Sequence, residues 1–106
     1  QDDCLRQLAL GTVGRIAFCT EAFPVVLPVN YRLADLGSEP VLLVRTAPGS
    51  PVADAPLAVA FEIDGFDVVH RTGWSVLVRG AARRLDQAAQ RGLPLEAAAG
   101  LRPFGE

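Results

Sequence analysis

Residues 57–64 constrain the fold more than any other stretch, because their side chains alternate strictly between two kinds. One set is strongly apolar and the other is small or charged: Leu57, Val59, Phe61 and Ile63 alternate with Ala58, Ala60, Glu62 and Asp64. A period of two is that of a β-strand with one buried face. A strand of this kind needs neighbouring strands and a covering layer, so the chain is predicted to build a sheet around it.

Four further runs have strand character, at residues 14–20, 23–33, 41–44 and 74–85. The run at 41–44 is apolar throughout, which predicts a strand buried on both faces. Pro24 and Pro28 interrupt the run at 23–33 and predict an edge, a bulge or a broken ladder, where backbone groups can face a ligand. Gly80 predicts a bulge or a close backbone approach. Tight connections at 21–22, 34–39 and 65–72 then favour an antiparallel barrel.

Short helices are predicted to flank these strands. Asp2 or Asp3 can cap a helix that runs to Leu10, with Gly11 just past its end. Helical turns are also expected at 48–55, 86–91 and 95–99. With 106 residues, no repeat and no linker, residues 1–106 predict a single, mainly β domain. Because Gln1 is not a natural start, we expect the full chain to extend beyond these ends.

Composition excludes several classes of function. The net charge is −2 and the pI is near 5.3, which argues against nucleic acid as a partner. No apolar run approaches the roughly 20 residues of a membrane span. Cys4 and Cys19 are predicted to be buried thiols in a reducing cytoplasm, with a disulfide as the alternative. His70 is the sole histidine, so no metal site is expected.

The end of the run at 41–44 groups residues that can bind an anion. Arg45, Thr46 and Ser50 offer a guanidinium and two hydroxyls beside the flexible backbone of Gly49. Such donors suit a phosphate. An ordinary strand end with a Pro-Gly turn explains the same residues, and from the residues alone it is the favoured interpretation.

No catalytic set is evident from residue chemistry. His70 has no nucleophile beside it in a known motif. Glu62 and Asp64 share one strand face, which a solvent-facing surface explains more simply than a carboxylate pair does. Trp74 and Ser75 open the run at 74–85, where the ring can be a core residue or a flat surface for an aromatic ligand.

Four segments taken together resemble the pyridoxamine 5′-phosphate oxidase-like family of flavin-binding split β-barrel proteins. In chain order they read GRIAFCTEAFPVVLPVNYRL, VLLVRTAPGS, LAVAFEID and RTGWSVLVRGAARRL. The resemblance covers roughly residues 4–86, in the family's order and spacing. It implies a six-stranded antiparallel split barrel that forms a homodimer, with FMN bound between the subunits.

The resemblance also implies which residues bind the cofactor. The strand of Pro28, Val29, Asn30 and Tyr31 would follow the flavin ring with its backbone. The phosphate would lie at Arg45, Thr46 and Ser50. Trp74, Ser75 and Val76 would contribute from the other side, often from the partner subunit.

The expected function is that of a cytoplasmic FMN-dependent oxidoreductase acting on a small molecule, in which the flavin supplies the redox chemistry. One alternative is a non-catalytic flavin carrier or sensor, or a barrel that has lost its cofactor. Pro51, where relatives commonly have Lys or Arg, and the lack of a final strand favour it. Another alternative is a reductase dependent on the deazaflavin F420, although no basic run is present to bind its anionic tail.

Overall fold

The computed structural model describes residues 2–35, 37, 39–51, 58–85, 90–93 and 97–105. Within these ranges one helix precedes five strands. The elements are α1 (Asp2–Leu10), β1 (Val13–Thr20), β2 (Phe23–Asp35), β3 (Pro40–Val44), β4 (Ala58–Asp67) and β5 (Thr72–Ala81). The helix and all five strands were predicted from the sequence, with ends that differ by a few residues.

The strands form one antiparallel sheet in the order β3-β2-β1-β4-β5. The predicted antiparallel, mainly β architecture is therefore confirmed. β1 and β2 are joined by Glu21 and Ala22, whose φ angles are 50° and 69°. Two successive positive φ values match the twist of a two-residue hairpin, so the predicted tight connection is also confirmed.

Two details of the predicted strands are wrong. β3 is not buried on both faces: it is an edge strand that pairs only with β2, and Val41 to Val44 are half-buried. A continuous apolar run can therefore lie on a sheet edge when a neighbouring segment covers part of it. Gly80 makes no bulge, because it pairs in regular register with Val59. The predicted helical turns at 48–55, 86–91 and 95–99 include residues 52–55, 86–89 and 95–96, which lie outside the described residues.

One face of the sheet carries the core, and α1 packs on that face. The buried cluster consists of Leu8, Ile16, Phe18, Val29, Tyr31, Phe61, Ile63 and Val76. β1 and β4 contribute alternate residues to it, as their sequence period predicts. The hydroxyl of Tyr31 donates to the Leu8 carbonyl at 2.7 Å, which ties α1 to β2.

Cys4 and Cys19 are free thiols, and both are exposed. The prediction that they are buried is wrong. Cys19 follows Phe18 at the end of β1 and points away from the core, since successive side chains of a strand alternate between faces. In the described part of the chain, no helix is long and apolar enough to cross a membrane.

Candidate functional site

The candidate site lies where β3 separates from β2. Residues 23–30 of β2 pair with β1, whereas residues 31–35 pair with β3. β3 therefore leaves the edge of β2 uncovered over residues 23–30. The sequence prediction that the prolines mark an edge is confirmed.

The direction of the backbone groups along this edge follows from one hydrogen bond. The amide of Tyr31 donates to the carbonyl of Thr12, the residue just before β1, at 3.0 Å. Because backbone groups alternate in direction along an antiparallel strand, the even-numbered residues of β2 face the uncovered edge. Pro24 and Pro28 are among them, and they place no N–H donor there. At Pro28 the edge presents a carbonyl within an apolar strand.

A groove of about 250 Å³ borders this edge. It is lined by Leu27, Pro28, Val29, Arg45, Thr46, Ala47, Ser50, Pro103 and Phe104. Its β2 side is apolar, and its other end carries the guanidinium and hydroxyls that follow β3. Five predicted site residues are thereby brought together in one chain: Pro28, Val29, Arg45, Thr46 and Ser50.

Arg45 is held in position by a hydrogen bond to the backbone of Leu101. Its Nε donates to the Leu101 carbonyl at 2.8 Å. A guanidinium has five N–H donors, so four remain on the terminal nitrogens, and no described residue accepts them. The amide of Ser50 donates to the Ala47 carbonyl at 3.1 Å, closing a turn in which Gly49 has a φ of 82°. The groove end can thus present a fixed cation beside a closed turn.

Residues 97–105, here named the C-terminal strap, form part of this site, which sequence reasoning missed. The Nδ2 of Asn30 donates to the Arg102 carbonyl at 3.0 Å. Ala97 and Leu101 are buried, and Pro103 and Phe104 line the groove. The available signal was a pair of large apolar residues, Leu101 and Phe104, in a tail that otherwise consists mostly of Ala, Gly and Pro.

Three predicted site residues point their side chains into the core. Val29, Tyr31 and Val76 are each less than 10% exposed. Burial raises the pKa of the Tyr31 hydroxyl, which keeps its proton for the Leu8 carbonyl. Only the backbone of these residues is available to a ligand.

Trp74 and Ser75 lie on β5, at the other edge of the sheet, with β1 and β4 between them and β2. Trp74 pairs with Gly65, and a side chain at position 65 would meet the indole ring. Ser75 follows Trp74 along β5 and pairs with Asp64. Its side chain therefore lies on the opposite face of the sheet from that of Trp74. Neither residue is among the described residues that line the groove at Arg45.

The other charged candidate residues form hydrogen bonds and ion pairs with one another. Arg15 Nε donates to Glu62 at 2.8 Å and its Nη2 lies 3.1 Å from Asp64. The hydrogen bond with Glu62 is the main cause of a raised pKa at Arg15. His70 Nδ1 lies 2.7 Å from Asp67 in the β4–β5 turn, and this contact lowers the pKa of Asp67. These groups stabilise the outer face and the turn. The described residues contain no cluster of metal-ligating side chains.

The fold and the groove together define a small antiparallel β domain in which a guanidinium and two hydroxyls lie at one end of a groove beside an apolar strand edge. Residues 1–102 match the family described as pyridoxamine 5′-phosphate oxidase. The chain therefore belongs to the pyridoxamine 5′-phosphate oxidase-like family, as its sequence motifs predicted.

Similar proteins come from species of Mycobacterium and Corynebacterium. One is the uncharacterized protein Rv0080 of Mycobacterium tuberculosis, 35% identical over 98 residues. That match covers 85% of this chain and 61% of the relative, so the chain spans less than two thirds of the relative's length.

Two solved structures share the fold. A conserved protein of unknown function, DIP1874 from Corynebacterium diphtheriae, is 30% identical with a TM-score of 0.76, over 98% of this chain and 77% of that one. The FAD binding protein from Mycobacterium smegmatis is 29% identical with a TM-score of 0.71, over 97% of this chain and 79% of that one.

Proposed function

We propose that this protein binds the phosphate of a flavin nucleotide, FMN, at Arg45, Thr46 and Ser50, and that it is a flavin-dependent oxidoreductase acting on a small molecule. The observation that carries the proposal is the groove itself. It joins an apolar strand edge, suited to a flat ring, to a guanidinium that has four N–H donors which none of the described residues accepts. The relative described as an FAD binding protein supports a flavin as the ligand.

The residues present fit the two parts of such a ligand. Leu27, Pro28 and Val29 would hold the ring, and the Pro28 carbonyl would orient it at the uncovered edge of β2. Arg45 would take the phosphate oxygens as charge-assisted hydrogen bonds. Thr46 and Ser50 add hydroxyls at the same end.

The proposed binding site also includes a second copy of the chain. A groove of about 250 Å³ is below the 300 Å³ at which ligand pockets begin. Val26 and Leu77 are 61% and 62% exposed on the sheet face that carries Arg15, an area suited to cover by another chain. In a homodimer, Trp74 and Ser75 of the partner subunit would reach the groove that they do not reach within one chain.

When bound, the flavin supplies the redox chemistry. The chain's own residues bind the phosphate, orient the ring and exclude water. No carboxylate or imidazole is among the described residues that line the groove. This observation also suits a non-catalytic flavin carrier. Bleaching of the bound flavin by a nicotinamide donor distinguishes the oxidoreductase from the carrier.

Arg45→Ala tests the phosphate assignment. It should weaken FMN binding by about tenfold or more, since hydrogen bonds to a charged group contribute about 1.5–3 kcal/mol. Riboflavin, which lacks the phosphate, should lose less affinity than FMN does, because only the bond from Arg45 to the Leu101 carbonyl bears on its binding. Fluorescence titration with both flavins measures these constants.

Arg84→Ala is the matched control, because Arg84 is exposed after β5 and does not line the groove. Equal FMN affinities for the two arginine variants would overturn the assignment. Sedimentation of the native protein tests the dimer: a single-chain mass while FMN stays bound would contradict the two-chain site.

A further inference from the structure

The C-terminal strap is attached to the sheet by three side chains that donate to its backbone. Asn30 donates to the Arg102 carbonyl at 3.0 Å, Arg32 to the Ala97 carbonyl at 3.5 Å, and Arg45 to the Leu101 carbonyl at 2.8 Å. All three donors come from β2 or from the end of β3. The strap is thus held over the junction where β3 leaves β2, which is where the groove lies.

Asn30 contacts the strap, although the family resemblance assigns it to the cofactor. It does not line the groove at Arg45, whereas its Nδ2 is bonded to the backbone of the strap. Arg102 is separated from the groove-lining Phe104 by Pro103 alone. A bond at Arg102 therefore limits where the ring of Phe104 can lie.

Phe104 differs in exposure from the rest of the strap. Ala97 and Leu101 are 7% and 9% exposed and anchor the segment, whereas Phe104 is 51% exposed and lines the groove. The groove therefore has an aromatic side chain at the wall formed by the strap, in addition to the apolar edge of β2. An aromatic ring adds to the binding of another flat ring through stacking or edge contacts.

We propose that Phe104 contacts the ring system of the bound flavin, and that Asn30 is a positioning residue that acts through the strap. This inference rests on the proposed flavin function. It assigns recognition of the flat heteroaromatic part of the ligand to residues outside the family motifs, while the phosphate is bound by Arg45.

The first test is Phe104→Ala, with Phe66→Ala as the matched control. Phe66 is 74% exposed at the β4–β5 hairpin and does not line the groove. Loss of one aromatic contact should weaken binding by about threefold to tenfold. FMN and riboflavin should be affected equally, since both carry the ring. Arg45→Ala should weaken FMN more than riboflavin, because it removes the phosphate contacts as well as the bond to the Leu101 carbonyl.

The second test is Asn30→Asp, which keeps the size of the side chain but replaces the donor by a carboxylate. Its control is Gln90→Glu, which makes the same change in a side chain that donates to the Leu85 carbonyl at 2.8 Å. In the ligand-free protein, Asn30→Asp should speed hydrogen exchange at the Leu101 amide, which donates to the Ala98 carbonyl within the strap, and Gln90→Glu should not. Riboflavin affinity should fall with Asn30→Asp.

A double-variant cycle separates positioning from direct contact. If Asn30 acts through Phe104, adding Asn30→Asp to Phe104→Ala should cause no further loss of riboflavin affinity. Full additivity of the two losses would overturn the positioning role. Equal flavin affinities for Phe104→Ala and Phe66→Ala would overturn the ring contact while leaving the proposed function intact. Failure of the unaltered protein to bind either flavin would overturn both.

Discussion

The two hairpins at the ends of the sheet differ in how completely their strands pair. β4 and β5 pair at ten consecutive positions, from Ala58 with Ala81 to Asp67 with Thr72. β2 is thirteen residues long, yet β3 pairs with only five of them. The fully paired hairpin leaves no backbone edge between its strands for a ligand. The partly paired one leaves a groove.

The prolines explain part of this difference. Pro24 and Pro28 remove N–H donors from the edge of β2 that β3 would otherwise cover, so a longer β3 would gain fewer hydrogen bonds there. No proline occurs in β4 or β5. Complete pairing provides rigidity at one end, and interrupted pairing provides an accessible surface at the other. Stability and binding should accordingly respond to substitutions in different regions.

The largest effect on stability is expected at the centre of the sheet. Phe61 is 4% exposed and its ring centroid lies 4.8 Å from that of Tyr31. Phe61→Ala should lower the free energy of unfolding by about 3–5 kcal/mol, through lost burial and the cavity left behind. Phe66→Ala, at the exposed hairpin, should change it by about 0.5 kcal/mol or less. Urea denaturation of both variants measures the contrast, and equal losses would contradict the assignment of the core.

Two glycines test the same contrast with a smaller change. A Cβ at Gly14 would overlap the ring of Phe61, whereas one at Gly80, near the end of the β4–β5 ladder, would meet nothing within 4 Å. Gly14→Ala should therefore cost about 1–3 kcal/mol of stability by overpacking. Gly80→Ala should be neutral or stabilising by up to about 1 kcal/mol. Thermal and urea unfolding of the pair provide the measurement. A neutral Gly14→Ala would show that the sheet adjusts more easily than its packing indicates.

Tyr31 lies where β2 changes partner from β1 to β3. Tyr31→Phe removes the donor to the Leu8 carbonyl and should cost about 1–2 kcal/mol. Burial raises the pKa of this hydroxyl in the folded state. Its stabilisation is therefore complete below the unfolded value of about 10 and is lost as the pH rises through the folded value. The stability of the unaltered protein should fall more steeply above pH 10 than that of Tyr31→Phe. Parallel slopes would exclude a role for this hydroxyl in alkaline unfolding.

The smallest effect is expected at the tip of the β4–β5 hairpin. Asp67 accepts hydrogen bonds from the amides of Val69 and His70 and from the His70 ring, and its pKa is lowered. A lowered pKa stabilises the fold above the unfolded value of about 3.9 and ceases to do so as the pH falls through the folded value. Asp67→Asn should lower the thermal midpoint slightly at pH 7. At pH 2–3 the difference should shrink. A difference that is constant across this range would assign the effect to turn geometry instead of charge.

Sequence periodicity predicted the strands that build the core. The alternation at 57–64 placed Phe61 and Ile63 on one face, and the structure buries both. Residues 14–20 likewise placed Ile16 and Phe18 together, and Asp2–Leu10 is helical as its capping pattern predicted. These features are local, because each side chain's face follows from its own backbone period. The family motifs added the association of Pro28, Val29, Arg45, Thr46 and Ser50, which the groove brings together.

Tertiary structure alone decided the rest. The apolar run at 41–44 was predicted to be buried on both faces, but whether a strand is central or at an edge depends on which other strands pair with it. The bond from Asn30 to Arg102 joins residues 72 positions apart, and no local pattern specifies such a contact. Side-chain period and turn chemistry are properties of neighbouring residues, whereas strand order and the course of the strap depend on which apolar surfaces of the whole chain can be buried together.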